Sequence, residues 1–200
     1  MSNIIYEYGN SLYLNLTNKC PCDCSFCIRR NTDGMGSAKS LWLKNEPCIE
    51  QIISQLTATG FKRYDEIVFC GFGEPFCALD NMLKVCRYLR ARSGSPPIRV
   101  NTNGLGDLIN QKSTAPSLHG LVDVISVSLN APDKKKYNEM CRPSFGEDAF
   151  DAMLKFAQDC KKYVPNVQFS VVNTISDEDI EECREIARKL GIPLRVRTAE

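Results

Sequence analysis

Three closely spaced cysteines carry the clearest chemistry in the sequence. Residues 17–27 read TNKCPCDCSFC, and within them Cys20, Cys24 and Cys27 have the spacing C-x3-C-x2-C. Thiolates this close on one loop can converge on a single inorganic cluster at little cost in loop-closure entropy. Because three thiolates leave one iron of a four-iron cube open, such a cluster could bind a small molecule as well as carry an electron.

The same cysteines allow other interpretations. Cys22 lies within the loop, so four cysteines could hold a structural zinc ion, or a C-x-C-x2-C set could begin at Cys22. The loop could also be rich in cysteine without binding a metal. A disulfide framework is the weaker interpretation, because the chain has 11 cysteines, an odd number, and is not a small secreted domain.

Composition predicts a single domain that spans residues 1–200. The chain is 43% hydrophobic, enough for one sizeable core. Its 25 basic and 24 acidic residues give a net charge of +1, which is no strong signal for nucleic acid or for an acidic membrane surface. The N-terminus lacks a secretory pattern, and no apolar run approaches the ~20 residues of a spanning helix, so we expect a cytoplasmic protein with no membrane association.

Six apolar runs alternate with five helix-like stretches, which is typical of β/α units around a parallel sheet. The last helix is the clearest, because Cys183 and Ala187 share a face between a capping residue, Ser176, and a terminating glycine, Gly191. We predict an α/β fold, a (β/α)6 partial TIM-like barrel with a parallel sheet, since six units are too few to close a full barrel. The strands are predicted near Leu12 to Leu16, Glu66 to Cys70, Ile98 to Thr102, Val122 to Leu129, Val167 to Val172 and Leu194 to Val196.

Further polar motifs follow three of these strands, at the end of the barrel that usually carries the chemistry. The second strand is followed by Gly71-Phe72-Gly73-Glu74-Pro75, in which glycines allow close backbone approach and a carboxylate can accept from an amine. The third and fourth end in Asn101-Thr102-Asn103 and Ser128-Leu129-Asn130. Each motif could instead serve only to make a turn or cap a helix.

The cysteine spacing, with Phe26 before the last cysteine and the loop directly after the first strand, resembles the radical S-adenosylmethionine (SAM) superfamily. The resemblance implies a [4Fe-4S] cluster on Cys20, Cys24 and Cys27, whose fourth iron binds the amino and carboxylate groups of SAM. It also implies SAM contacts from Phe26, Gly71, Gly73, Glu74, Pro75, Asn101, Asn103, Ser128 and Asn130. Phe72 departs from the family's commonest motif, which has glycine there.

The activity implied by the resemblance is reductive cleavage of SAM to a 5'-deoxyadenosyl radical that abstracts hydrogen from a substrate. It requires an external one-electron reductant of the flavodoxin or ferredoxin type. Residues 140–143, with sequence MCRP, and the cysteine loop look most like the small TatD-associated radical SAM proteins, related to the glycyl-radical activating enzymes. Cys141 in that stretch is either a substrate-facing thiol or, as is commoner for free cysteine, buried and inert.

The substrate stays open at this stage. A short barrel would leave its side uncovered, which suits a large substrate, a protein substrate or a protein partner. Arg195 and Arg197 alternate along the last strand and so share one face, which points either into the barrel or to solvent. An electron-transfer iron-sulfur protein and a zinc-stabilised binding module remain as alternatives to the enzyme.

Overall fold

The computed structural model describes residues 3–198 and contains a seven-stranded sheet. The strands are β1 (Ile5–Tyr8), β2 (Ser11–Leu14), β3 (Glu66–Phe69), β4 (Ile98–Thr102), β5 (Val124–Ser128), β6 (Asn166–Val172) and β7 (Leu194–Arg197). The helices are α1 (Ile49–Thr59), α2 (Leu79–Arg90), α3 (Gly106–Asn110), α4 (Lys134–Cys141), α5 (Asp148–Cys160) and α6 (Asp177–Leu190). Spatial order follows chain order from β1 to β7.

The six parallel strands β2 to β7 confirm the predicted (β/α)6 partial barrel. Each connection between them carries a helix, and the connection from β5 to β6 carries two, α4 and α5. Within the described residues, β1 and β7 have no strand on their outer sides. The sheet therefore curves around an interior but has two free edges.

The antiparallel strand β1 was not predicted from the sequence. It pairs with β2 in the register Tyr6↔Tyr13 and Tyr8↔Ser11, across a two-residue turn. Gly9 begins that turn with φ of +58°, which glycine adopts without steric cost. The signal that could have revealed the hairpin is the pair Gly9-Asn10 between two short alternating runs.

Helix α6 follows the predicted pattern. The Ser176 hydroxyl accepts a hydrogen bond from the backbone N–H of Asp179 at 3.1 Å and caps the first turn. Gly191 ends the helix in the left-handed conformation, and Cys183 and Ala187 are buried against the sheet. Within residues 3–198, no helix is both long and apolar enough to cross a membrane.

The two faces of the sheet differ in polarity. Outward-facing residues such as Leu12 and Ile125 are fully buried beneath the helices and form the main core. On the inward face Asn101, Ser126 and Gln168 lie side by side on three neighbouring strands. Gln168 donates to the Ser126 hydroxyl at 3.2 Å, so the barrel interior is lined by hydrogen-bonding groups.

Phe156 on α5 anchors the packing of helices against the sheet. It is fully buried and meets the Phe76 ring edge-on, with centroids 5.2 Å apart. We expect Phe156→Ala to lower the free energy of unfolding by about 3–5 kcal/mol, because a large cavity replaces the ring. Urea denaturation should leave the control variant Gln158→Ala, at an exposed position of the same helix, within about 0.5 kcal/mol of wild type.

Candidate functional site

The cysteine loop leaves β2 at the rim of the barrel, beside the ends of the neighbouring strands. Cys20, Cys24 and Cys27 are partly exposed, whereas Cys22 is buried with 4% of its surface accessible. The backbone N–H of Cys27 donates to the carbonyl of Cys24 at 3.2 Å, which bends the chain back toward the loop. Each of the three predicted ligands is therefore partly accessible, whereas Cys22 is not.

A second segment, residues 140–144, holds the cysteine loop from the other side. The N–H groups of Asp23 and Ser25 donate to the carbonyls of Cys141 and Met140 at 3.0 and 2.9 Å. Ser144 returns a hydrogen bond to the Pro21 carbonyl at 2.8 Å. These bonds make a short antiparallel ladder between the cysteine loop and residues 140–144.

The thiols of Cys20, Cys22, Cys24 and Cys141 interact with one another through hydrogen bonds. Hydrogen bonds from Cys141 and from Cys22 lower the pKa of Cys24 to about 4, and a hydrogen bond from Cys22 lowers that of Cys20. Donating to these sulfurs raises the pKa of Cys22 and of Cys141 well above the ordinary thiol value. Burial raises the pKa of Cys27. The network favours Cys24 as a thiolate and Cys22 as a protonated donor, and it lowers the pKa of Cys20 in the same direction as that of Cys24.

The donor chemistry fits a sulfur-ligated cluster. Three partly exposed thiols on one loop, two with lowered pKa, are the ligands such clusters take. The side-chain amide of Asn103 faces the sulfurs of Cys20 and Cys22 at 3.9 and 3.7 Å, as donors around cluster sulfurs do. Among residues 3–198, no group of three or more Cys, His, Asp or Glu side chains is placed closely enough to hold a metal ion as it stands.

Glu74 lies buried beneath the cysteine loop. Its backbone N–H donates to the Lys19 carbonyl at 2.8 Å. Its carboxylate accepts from the Thr102 hydroxyl at 2.7 Å, the Asn103 N–H at 2.7 Å and the Phe76 N–H at 3.2 Å. A carboxylate has about four lone-pair sites, so roughly one remains for a ligand. Burial outweighs these bonds and raises the pKa of Glu74 to about 7.

The glycines of the motif have a packing role in the structure. A Cβ on Gly73 would lie 2.2 Å from the Thr17 carbonyl oxygen, and one on Gly71 would lie 2.0 Å from Oδ1 of Asn15. Both positions thus let the end of β3 approach the end of β2, whereas the sequence suggested approach to a ligand. Pro75 is buried and starts a 3₁₀ turn, Pro75–Ala78.

Phe72, the residue that departs from the family motif, belongs to a small apolar cluster with Tyr6 and Leu41. It is buried and packs against Trp42 with ring centroids 5.0 Å apart.

The polar residues at the strand ends lie in two places, the barrel cavity and the space beside the cysteines. Asn101 lines the barrel cavity and accepts from Arg99 at 3.1 Å, and Ser128 lies partly buried opposite Ser170 on β6. Asn103 and Asn130 instead face the cysteines. Asn130 donates to the Cys141 sulfur at 3.9 Å.

Asn130 also presents an unpaired acceptor. The residue is 6% exposed, and its Oδ1 has no hydrogen-bond partner within the described part of the chain. Leaving a buried polar atom unpaired costs about 1–3 kcal/mol, so a bound molecule with a donor group would be favoured there. Its φ of +59° is one that asparagine tolerates better than most residues.

A cavity of about 740 Å³ opens beside the loop and brings together Phe26, Cys27, Gly71 and Asn101. Cys20, Cys24, Glu74, Asn103 and Asn130 lie under and around the loop and do not line it. The predicted residues thus form two adjoining groups, with Cys24 and Cys27, three residues apart, bridging them.

Thr102 was not identified from the sequence, and Cys141 was identified without its contact to the cysteine loop. Thr102 binds Glu74 from between two residues that were identified, Asn101 and Asn103. Cys141 is 2% exposed, which agrees with the buried alternative, but it contacts Cys24 and is not inert packing. No spacing rule links residue 141 to residue 24, so only the fold reveals that contact.

The raised pKa of Glu74 makes stability depend on pH. The folded value of about 7 lies above the ordinary 4.5, so the folded protein holds this proton more tightly than the unfolded chain. The resulting stabilisation is complete below about pH 4.5 and is lost as pH rises through about 7. We expect wild type to lose on the order of 2 kcal/mol over this window relative to Glu74→Gln, which cannot titrate.

Urea unfolding at stepped pH measures this difference. The control Glu178→Gln, at an exposed position on α6, should keep the wild-type pH profile. Parallel profiles for wild type and Glu74→Gln would show that the Glu74 carboxyl does not titrate in this range.

The chain is similar in sequence to curated enzymes. It is 25% identical over 236 residues to the probable dual-specificity RNA methyltransferase RlmN of Carboxydothermus hydrogenoformans, covering 96% of this chain and 66% of that protein. It is 28% identical over 171 residues to the RlmN of Prochlorococcus marinus (strain NATL1A), covering 80% of this chain and 45% of that protein. The chain thus spans about half to two thirds of these relatives.

Solved structures share the fold. A radical SAM methyltransferase from Sphaerobacter thermophilus matches with a TM-score of 0.60 and 19% identity over 97% of this chain and 68% of that one. The protein anSMEcpe, solved with bound AdoMet and a Cp18Cys peptide, matches with a TM-score of 0.66 and 19% identity over 95% of this chain and 51% of that one.

The profile of the Radical SAM superfamily matches residues 14–193, from the last residue of β2 to the residue before β7. This span includes the cysteine loop, Glu74 and the polar strand ends. Members of the superfamily bind a [4Fe-4S] cluster and SAM, the two cofactors predicted from the sequence. The chain belongs to the radical SAM superfamily.

Proposed function

We propose that the protein cleaves SAM reductively and uses the resulting 5'-deoxyadenosyl radical to abstract hydrogen from a substrate. The observation that carries the proposal is the position of Glu74 directly beneath the cysteine loop. Its N–H binds Lys19 of that loop, and its carboxylate binds Asn103, whose amide faces Cys20. The loop that would hold the cluster and the motif that would hold SAM are thereby one hydrogen-bonded unit.

In this proposal Cys20, Cys24 and Cys27 hold the [4Fe-4S] cluster, which supplies the electron that breaks a C–S bond of SAM. The remaining lone pair of Glu74 would accept from the SAM amino group. Phe26, which lines the cavity, would pack near adenine. Carboxylate and ribose contacts come from the strand ends and the motif backbone: Gly71, Gly73, Pro75, Asn101, Asn103, Ser128 and Asn130.

Several features support these roles. The protonated thiols of Cys22 and Cys141 donate to the proposed ligand sulfurs, which would hold the ligand side chains in place. The orphaned Oδ1 of Asn130 offers an acceptor to SAM. A flavodoxin- or ferredoxin-type protein would deliver the electron at the partly exposed face of the loop.

We propose further that the protein is a member of the small TatD-associated group of radical SAM proteins. This assignment is supported by the main-chain hydrogen bonds between the cysteine loop and residues 140–144. The stretches that resemble that group, residues 20–24 and 140–143, lie in these two segments. The free edges of the sheet suit a large substrate or a partner protein that completes the site. A partner that copurifies in fixed stoichiometry would support this, and a closed, solvent-free cavity in the isolated protein would contradict it.

An anaerobic incubation with dithionite and SAM tests the proposed reaction. Wild type should release methionine and 5'-deoxyadenosine. Cys20→Ala, Cys24→Ala and Cys27→Ala should each lose the [4Fe-4S] absorbance and the cleavage, because three thiolates are needed to hold the cube. The exposed Cys48→Ala, outside the loop, is the matched control that should keep the cluster. Cys22→Ala should also keep it, because in this proposal Cys22 donates to the ligand sulfurs and does not bind iron.

The outcomes separate the alternatives. Full clusters in any two of the three ligand variants would contradict the assignment. An iron-sulfur protein that yields no 5'-deoxyadenosine would indicate electron transfer alone, and a colourless protein containing zinc would indicate a binding module.

Asn130→Gly tests the SAM site separately from the cluster. Glycine accepts the positive φ and removes only the side chain, so the fold should be kept. We expect SAM affinity, measured by anaerobic calorimetry, to fall about tenfold with the cluster absorbance unchanged. Asn166→Ala, exposed at the opposite end of the sheet, is the control. Equal SAM affinity in the two variants would remove Asn130 from the site.

The names of the curated relatives favour a second candidate, transfer of the SAM methyl group. S-adenosylhomocysteine among the products would indicate methyl transfer, whereas methionine and 5'-deoxyadenosine alone would indicate hydrogen abstraction.

A further inference from the structure

The cavity beside the cysteine loop opens sideways between the two free edges of the sheet. One wall comes from the first hairpin, where Tyr8 and Tyr13 pack edge-to-face at 5.8 Å. The opposite wall comes from β7, with Arg195, Val196 and Arg197. The SAM-side residues Phe26 and Asn101 complete the cavity, so a molecule in it would lie beside the cofactor.

Positive charge is concentrated in this cavity although the chain as a whole carries only +1. Its lining includes Arg99, Arg195 and Arg197, and no described Asp or Glu lines it. The positive charge of Arg99 is balanced by Glu66, because Nε and Nη2 of Arg99 donate to the Glu66 carboxylate at 3.0 and 2.6 Å. Two guanidinium groups therefore determine the charge that a ligand meets.

Arg195 and Arg197 line the cavity, and within the described residues the charge of Arg195 acts on the Glu66 carboxylate only from beyond ion-pair distance. Neither lies within ion-pair distance of an Asp or Glu in residues 3–198, whereas most other arginines of that range do. Burial raises the pKa of the interior thiol of Cys70, and the charge of Arg197 opposes that rise. The two side chains alternate on one strand, about 7 Å apart along it. That spacing suits two donors to one multivalent oxyanion.

Apolar groups flank the arginines at the same opening. Three large hydrophobic side chains are exposed in the described chain, and two of them, Tyr8 at 41% and Val196 at 36%, lie on the two facing edges. An opening with exposed apolar groups and unpaired arginines is typical of a binding surface.

We propose that Arg195 and Arg197 form an oxyanion subsite that binds a phosphate or carboxylate group of the substrate, with the tyrosine wall against its apolar part. The inference rests on the proposed function, because it treats the cavity as the substrate chamber next to SAM. Arginine forks bind both oxyanions in the same bidentate way, so the substrate class is an amphipathic anion.

Calorimetry on the anaerobic holoprotein with saturating SAM tests the subsite. Inorganic pyrophosphate and citrate are the probes, measured at low ionic strength. Wild type should bind at least one of them, and the double variant Arg195→Gln/Arg197→Gln should bind it at least tenfold more weakly. Arg184→Gln/Arg188→Gln removes the same charge from the exposed face of α6 and should retain wild-type affinity.

Preference for pyrophosphate would support a phosphorylated substrate, and preference for citrate a carboxylate substrate. Arg195→Lys/Arg197→Lys keeps the positive charges but removes the guanidinium groups that can donate two parallel hydrogen bonds. An affinity between those of wild type and the double glutamine variant would therefore support bidentate binding. No binding of either probe by wild type, equal weakening in the α6 control, or displacement of the probe by SAM would overturn the subsite.

The two proposals fail separately. Wild type that cleaves SAM but binds neither anion overturns only the subsite. Wild type that binds an anion through these arginines but never cleaves SAM overturns only the proposed function.

Discussion

The hydrogen bonds of the buried Glu74 carboxylate connect the elements on which the site depends. They join the end of β3 to the end of β4 through Thr102 and Asn103, and the Glu74 N–H joins both to the cysteine loop. Burial of a carboxylate is unfavourable, and its raised pKa shows that three donors do not fully compensate for lost hydration. The ionised form of Glu74 is therefore unfavourable at the rim of the barrel, and a cationic ligand group beside it would stabilise that form.

The cysteine loop is positioned from two directions, which explains how a segment without regular secondary structure can hold a fixed shape. Beneath it, Gly73 allows β3 to approach the loop backbone more closely than any side chain would permit. Beside it, residues 140–144 supply main-chain hydrogen bonds after α4. That segment turns back toward the loop because Arg142 adopts a left-handed conformation, with φ of +43°. Both supports come from parts of the chain far from the loop in sequence.

The polar interior follows from the openness of the barrel. Helices cover only the outer face of the sheet, so alternate side chains face a cavity that water can reach. The ion pair between Arg99 and Glu66 crosses neighbouring strands there and is bidentate, the geometry that best offsets desolvation. At the β7 edge no strand follows within the described residues, so its arginines stay available to a ligand.

Much of the fold was predictable because its signals are local. Apolar runs separated by helical stripes indicated six parallel strands, and Ser176 and Gly191 indicated where α6 begins and ends. The hairpin of β1 was missed because a four-residue strand gives too short an alternation, and its stability depends on pairing with β2.

For the site as well, local features were predictable from the sequence and contacts between distant residues were not. Spacing within one loop suggested a site with sulfur ligands, and the family resemblance added both the choice of Cys20, Cys24 and Cys27 and the SAM residues. Sequence could not show that Cys141 contacts Cys24, that Gly71 and Gly73 serve packing between strands, or that Arg195 and Arg197 face the cavity. From the sequence alone came the order of the elements and a candidate ligand set within one loop, because helix, strand and loop signals act over a few residues. The tertiary structure alone decided which distant groups meet, because contacts between residues over 100 positions apart depend on how the sheet curves.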